Sequence, residues 1–356
     1  DLTVTVEPGV VTKDLQDEVA KHKLFYPPDP GSAGFSTIGG NVAECSGGAT
    51  GMKYGVTRDY VLALEIVLPD GSIINTGRKT LKSVAGYDLT RFFVGSEGTL
   101  GVYTKITLKL LPMPEKLGTI VSYFADFHDA LNTSDSIQIK NRILPRSLEF
   151  MDTACIISLK EGAKVAIPEG AKSLLLIDVD GNEKSVTNTI AKIEDICEEN
   201  NALKSEVAKT AEEREILWEM IRSVSPALFK IGTMKFNDDF CVPRSKVRVA
   251  LEKIYELSKA ASVKVAAFGH IGDGHINLNV MYDDGSDKEH LVHAFIREVL
   301  KEVVSIGGTI TSEHGVGHTK VEYVKLELTA QEIELMRELK KLFDPKGIMN
   351  PGKIFV

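Results

Sequence analysis

Residues 268–279, FGHIGDGHINLN, constrain the fold more tightly than any other stretch. Gly272 and Gly274 bracket Asp273, and glycine reaches positive φ at little steric cost, so the chain turns tightly there. After the turn the period becomes two. His275, Asn277 and Asn279 then share one face of a strand, and Ile276, Leu278 and Val280 share the other. The second face is core. The first is a row of imidazole and carboxamide groups. A second stretch, SEHGVGHTK at 312–320, follows the β-branched run 309–311, and its Gly315 and Gly317 let the backbone pass close to something bulky. Together the two stretches hold His270, His275, His314 and His318, four of the eight histidines, beside Glu313. Such a set has the composition of a divalent-metal site with a neighbouring base.

At 356 residues two domains are the default. Apolar and charged contents of 43% and 26% are those of a globular protein. The net charge of -8 comes without a basic run, which argues against a nucleic-acid partner. Cys45, Cys155, Cys197 and Cys241 form no CxxC pair, so a reducing compartment is expected, without disulfides or a cysteine-ligated metal. No apolar run approaches the ~20 residues that span a bilayer.

Along the chain, 3–7, 61–68, 102–111 and 174–179 read as strands, and Pro69-Asp70-Gly71 as a hairpin turn. Helices are expected over 12–22, 186–200 and 246–260. Three more follow capping boxes at Thr210/Glu213, Ser286/Glu289 and Thr329/Glu332. The Ser286 helix carries the stripe Leu291, Val292, Phe295, Ile296, Val299 and Val303, with His290 and His293 on its solvated side. Glycines cluster at 39–40, 47–48, 55 and 95–101. Backbone amides freed from helix and sheet make anion-binding nests. None of the clusters fits G-x-G-x-x-G or GxxxxGK[ST], which disfavours a Rossmann or P-loop site. Pro112-Met113-Pro114 reads as a linker. Beyond it, strands alternate with longer helices, as in an α+β layer with helices on one face.

PPDP at 27–30, TIGGN at 37–41, GYDLTRFFVGSEGTLGV at 86–102, GHIGDGH, SEHGVG and FDPKGIMNPGK at 343–353 resemble the FAD-linked 2-hydroxy-acid dehydrogenases of the vanillyl-alcohol-oxidase-type flavoprotein superfamily. That group includes the glycolate oxidase catalytic subunit and the D-lactate and D-2-hydroxyglutarate dehydrogenases. The resemblance implies part of a VAO/PCMH-type FAD-binding domain over 1–113 and an α+β cap or substrate domain, ferredoxin-like with an antiparallel sheet, over 114–328. A C-terminal helix and tail, 329–356, would return to the flavin domain. It further implies that Pro28, Asp29, Thr37, Ile38, Gly39, Gly40, Asn41, Ser46, Gly47, Gly48, Gly98, Thr99, Gly101, Val102 and Asn350 line a non-covalent FAD. His270 and Glu313 match metal ligands, and His314 matches the base that takes the substrate hydroxyl proton.

The chain departs from the family in three places. The family's Asn and His after the first metal histidine are exchanged, as His275 and Asn277. They lie about 6.6 Å apart on one strand face, so either can be the second ligand. The usual carboxylate-binding Arg, three residues after Trp218, is Ile221. Arg222 follows, turned by about 100° on the helix. With Lys235 it is a candidate cation for the substrate carboxylate. Finally, the family has a further N-terminal segment with a pyrophosphate loop, so residues 1–356 alone are expected to bind FAD weakly or not at all, with an open, flavin-free groove beside 37–48.

The expected activity is oxidation of a D-2-hydroxy acid to the 2-oxo acid, assisted by Zn, Mn or Fe. Electrons would pass to a quinone, a cytochrome, an electron-transfer flavoprotein or an iron–sulfur subunit. A homo-oligomer is expected, cytoplasmic or peripheral at the cytoplasmic face of the membrane. A non-catalytic flavoprotein subunit would be expected to lose His270, Glu313 and His314. A metal-dependent hydrolase leaves the glycine clusters unexplained.

Overall fold

The computed structural model describes residues 1–160, 164–283 and 289–355, and the chain divides into two compact units. The first joins Asp1–Met113 to the segment from Thr311 onward, and the second is Pro114–Ile310. The return to the first unit thus falls at 311, ahead of the Thr329 cap.

In the first unit a four-stranded antiparallel sheet runs in the order Thr3–Val6, Val102–Lys109, Val61–Val67, Ile73–Gly77. Leu64, Ile66, Ile106 and Leu108 are the inward residues of two of these strands, and they pack with Ile38, Val42 and Phe93 in the core. Leu68 accepts from Gly71 across the expected hairpin turn. The helix Ala330–Phe343 starts at a full capping box, with Thr329 and Glu332 exchanging backbone N–H bonds. It ends with Phe343 against Phe92 and Phe93, ring centroids 5.5 Å away in each case.

The stretch 38–44 departs from expectation. It is a helix capped by Thr37, whose hydroxyl accepts from the Gly40 amide at 3.2 Å. Gly39 donates to the Pro8 carbonyl at 2.8 Å, and a Cβ there would stand 2.5 Å from the Pro8 Cβ. Gly39 serves close packing, and the amides of both glycines are already taken, so they are not a free nest.

The second unit is built on a seven-stranded antiparallel sheet. Its order is Ala202–Val207, Lys116–Phe124, Ser173–Gly181, Ser147–Met151, Lys264–Gly269, His275–Tyr282, Met234–Cys241. The first four in space follow the 4-1-3-2 order of a ferredoxin-like unit, extended by three more strands. One face packs Tyr123, Leu174, Leu176, Met151 and Ala266 against Leu217, Met220 and Val224. Thr210 caps the helix Ala211–Arg222, but Glu213 reaches the Lys209 amide, so the box is only half made. The helix Glu183–Glu199 begins three residues earlier than expected because Asn182 caps it through the Ser185 amide. In Glu289–Ser305 the expected stripe is buried except at Leu291, which is exposed. The Ser286 cap lies outside the described residues. His293 is half-buried, its ring 5.2 Å from that of Phe236.

Candidate active site

In the second unit the turn before His275 is set by its glycines, though by a different pair. Gly274 takes φ +95° and Gly269 φ +152°. A Cβ on Gly274 would stand 1.9 Å from the Val242 carbonyl oxygen, which only glycine permits. Ile276, Leu278 and Val280 face the core as expected. On the other face, cross-strand register sets Asn277 opposite Asp239 and Phe268, and Asn279 opposite Asn237 and Ala266.

His270 and His275 stack, ring centroids 4.9 Å apart. His270 Nδ1 lies 2.7 Å from both carboxylate oxygens of the buried Glu149. With Nδ1–H donating to a carboxylate, Nε2 keeps its lone pair for a cation, the usual arrangement of a metal-binding histidine. Asn277 donates from Nδ2 to His275 Nε2 at 2.7 Å. That nitrogen has one lone pair, so ligation through His275 Nε2 requires Asn277 to release it. The exchanged pair therefore behaves as a coupled unit, and this donor set fits a borderline divalent ion.

Asn279 is fully buried, and neither its carboxamide oxygen nor its nitrogen has a partner. Period-two reading sets it beside His275 and Asn277 but gives no hint of this isolation. Lys235 is half-buried on the neighbouring strand. It donates to Ser225 Oγ at 2.6 Å and to the Ser225 carbonyl at 3.2 Å, and burial pulls its pKa down. Arg222 does not join the group: it is exposed and paired with Glu215. The buried face is served instead by Arg214 and Trp218, which donate to Asp178 at 2.7 and 3.2 Å.

In the first unit some of the expected flavin-lining residues meet two carboxylates, Gly47 and Gly48 at Glu313 and Asn350 at Glu97. Glu313 Oε1 accepts from the Gly48 amide at 2.6 Å, and a Cβ on Gly47 would stand 2.6 Å from that same oxygen. Gly48, at φ +117°, also lies against the Asp29 carbonyl, with which it forms an isolated bridge. Asn41 is buried and donates to Thr12 at 2.7 Å, and it accepts from Ser46 at 3.4 Å. The Pro28 carbonyl accepts from Gln16. Ile38 is in the core, Gly101 packs on Ile66, and Val102 is exposed. The loop 96–101 is tied to the C-terminal helix and tail, Lys340 donating to the Thr99 carbonyl at 2.7 Å and Asn350 to the Glu97 carbonyl at 2.5 Å. A Cβ on Gly98, at φ +67°, would approach only the Asn350 amide, at 3.8 Å, so no side chain stands between loop and tail there.

His314 and His318 are exposed. The residue Glu44 is exposed as a whole, but its carboxyl end lies where a Cβ on Gly315 would be, next to Glu97. Desolvation there, and then the Glu97 charge, push its pKa up to about 7 against the opposing effect of His314. Among the described residues no helix is long and apolar enough to cross a membrane.

This fold is shared with solved structures. p-Cresol methylhydroxylase superposes with a TM-score of 0.75 at 15% identity, over 99% of this chain and 76% of that one. The likeness shows a VAO/PCMH-type fold, with mixed helix and antiparallel sheet. The family of FAD linked oxidases, C-terminal domain, matches residues 113–354, and an FAD binding domain matches 1–77. The glycolate oxidase subunit GlcD of Bacillus subtilis is 43% identical over all of this chain and 76% of its own length. A D-lactate dehydrogenase of Anaerostipes hadrus is 33% identical over 99% of this chain and 76% of its own length. The chain belongs to the FAD-linked oxidases, a family of oxidoreductases that work with FAD.

Proposed function

We propose that the chain oxidises a small D-2-hydroxy acid to the 2-oxo acid. The observation that carries this reading is Asn279, a buried carboxamide with a donor and an acceptor both unpartnered, on the strand face that bears His275 and Asn277. A buried amide left unmet costs free energy, so the position calls for a small polar group, a water or a ligand, that both gives and accepts hydrogen bonds. A hydroxyl next to a carboxylate does both. Lys235 supplies the positive charge for the carboxylate; Arg222, held outward by Glu215, is the weaker candidate. The names of the relatives, glycolate oxidase and D-lactate dehydrogenase, agree with a substrate of this size.

His270, with His275 or Asn277, would hold a divalent metal, which would lower the pKa of the substrate hydroxyl; the family resemblance adds Glu313 as a further ligand. FAD, when bound against the loops 37–48 and 96–101 and Asn350, supplies the hydride acceptor. The chain's own part is to orient Cα toward the flavin and to take the hydroxyl proton. An imidazole titrates near neutral pH, and a ring nitrogen of His314 takes that proton. One hydride and one proton leave, which balances the oxidation. An electron acceptor such as a quinone or a cytochrome would be needed to take the two electrons onward.

The test is anaerobic. FAD-loaded protein is mixed with D-lactate, glycolate and D-2-hydroxyglutarate, with L-lactate as control, and flavin absorbance is followed. Bleaching by at least one of the first three is expected. No bleaching by any of them, with FAD bound, would sink the reading. Metal content by elemental analysis should fall in Glu313→Gln, and His275→Ala and Asn277→Ala, made separately, identify the second ligand.

A further inference from the structure

The glycine-rich stretch after His314 forms an anion nest, and its anion is a side chain of the same unit. Gly315 and Gly317 take φ +72° and +53°, a geometry that turns successive backbone N–H groups to one side. Val316 N donates to Glu97 Oε1 and Gly317 N to Glu97 Oε2, both at 2.8 Å. One carboxylate thus holds both amides, each oxygen taking one, in charge-assisted bonds. Glu97 is itself only 8% exposed and sits at φ +51°. Its own amide donates to the Ala43 carbonyl at 2.9 Å, and its carbonyl accepts from Asn350. Glu97 is therefore fixed at its backbone by helix 38–44 and by the C-terminal tail. On the other side of His314, Glu313 is held by the Gly48 amide. His314 thus stands between two carboxylate–amide locks, one made by its predecessor and one on the two amides that follow Gly315.

We propose that Glu97 is a positioning residue for His314: by fixing the backbone of 315–317 it sets the direction of the imidazole. The proposal rests on the reading of His314 as the base. A misplacement of about 1 Å costs a base about 10²-fold in rate, so the lock matters to chemistry more than to stability.

The test is a double-variant cycle on FAD-saturated chain, read as the rate of flavin reduction by the best 2-hydroxy acid. Glu97→Gln keeps size and shape but offers one acceptor and one donor to two N–H groups. It is expected to slow reduction about 10- to 100-fold with KM nearly unchanged. His314→Ala is expected to slow it about 10²-fold. The double variant should be no slower than His314→Ala, because the lock has nothing left to position. Equal slowing by Glu97→Gln in both backgrounds overturns the proposal, and so does wild-type speed in Glu97→Gln while His314→Ala is slow. Wild-type speed in His314→Ala instead overturns the base assignment itself. Independently of flavin, amide hydrogen exchange of the peptide holding Val316 and Gly317 should quicken in Glu97→Gln, while the strand 61–67 stays protected. Unchanged exchange at 316–317 overturns the lock whatever the kinetics. Should Glu97→Gln fail to fold, Glu97→Asp is read in the same way, since it keeps the charge and cannot reach both amides.

Discussion

Glu149 and His270 are 121 positions apart in the chain and 2.7 Å apart in space. A carboxylate on Nδ1 fixes the tautomer and makes Nε2 more basic, so Glu149→Gln should weaken metal binding about 10- to 100-fold with the fold retained. Chelator competition measures this, and an unchanged affinity would remove Glu149 from the site. Glu44 gives a pH dependence of definite sign. Its folded pKa of about 7 exceeds the ordinary 4.5, so the folded state holds the proton more tightly. Its contribution is fully present below the ordinary value and is lost as pH rises through about 7. Wild type should therefore lose stability relative to Glu44→Gln between pH 5 and 8, seen as diverging urea midpoints, and a constant difference would contradict the shift. The histidines were legible in the sequence because glycines punctuate them. Glu149, Glu97 and the isolation of Asn279 were not, because spacing gives the face of a strand while the partner across the sheet depends on register.

Elements were legible where a local bond decides them and misread where packing does. Thr329 and Glu332 make their box within one turn; the Asn182 cap is equally local, yet its sequence reads as part of a turn and its helix is expected only from 186. The glycines at 39 and 40 looked like loop because glycine weakens a helix by about 1 kcal/mol each. Close contact of Gly39 with Pro8 and burial of Ile38 and Val42 outweigh that. The helix Ala211–Arg222 shows the same precedence of long-range contacts. It is anchored to the sheet by Asp178, which is fully buried and accepts from Thr119, Arg214 and Trp218. Arg214→Met would leave that carboxylate without its cation, and removal of one partner of such a pair costs about 3–5 kcal/mol. The Arg214 side chain is 26% exposed and two donors remain, so about 2–4 kcal/mol is expected here, measured by urea unfolding. Asp178→Asn added to that variant should recover part of the loss. A loss below about 0.5 kcal/mol in Arg214→Met would show the pair to behave as an exposed surface bridge.

The chain's two units differ in how they are assembled from sequence. Pro114–Ile310 is continuous, and both faces of its seven-stranded sheet are covered by its own helices, with Met220, Leu217 and Val224 on one side and Leu251, Ile254, Phe295 and Val299 among the buried residues of the rest. The first unit is interrupted by the whole of the second, and completes itself only when 311 onward returns. Nothing between 311 and 320 is helix or strand, so periodicity was silent there. The membership of that segment is written in bonds from Glu313 to Gly48 and from Val316 and Gly317 to Glu97, which no local pattern foretells. Closing a long loop costs entropy before the distant contacts reward it. The continuous unit is therefore expected to fold first and without help. Expressed alone, residues 114–310 should give a cooperative urea transition and dispersed amide resonances. The complementary piece, 1–113, should not, because Lys340, Asn350 and Phe343, which hold the loop 96–101 and pack on Phe92 and Phe93, come from beyond the interruption. If 1–113 unfolds cooperatively at the same urea concentration as in the full chain, the C-terminal return is not what completes its core.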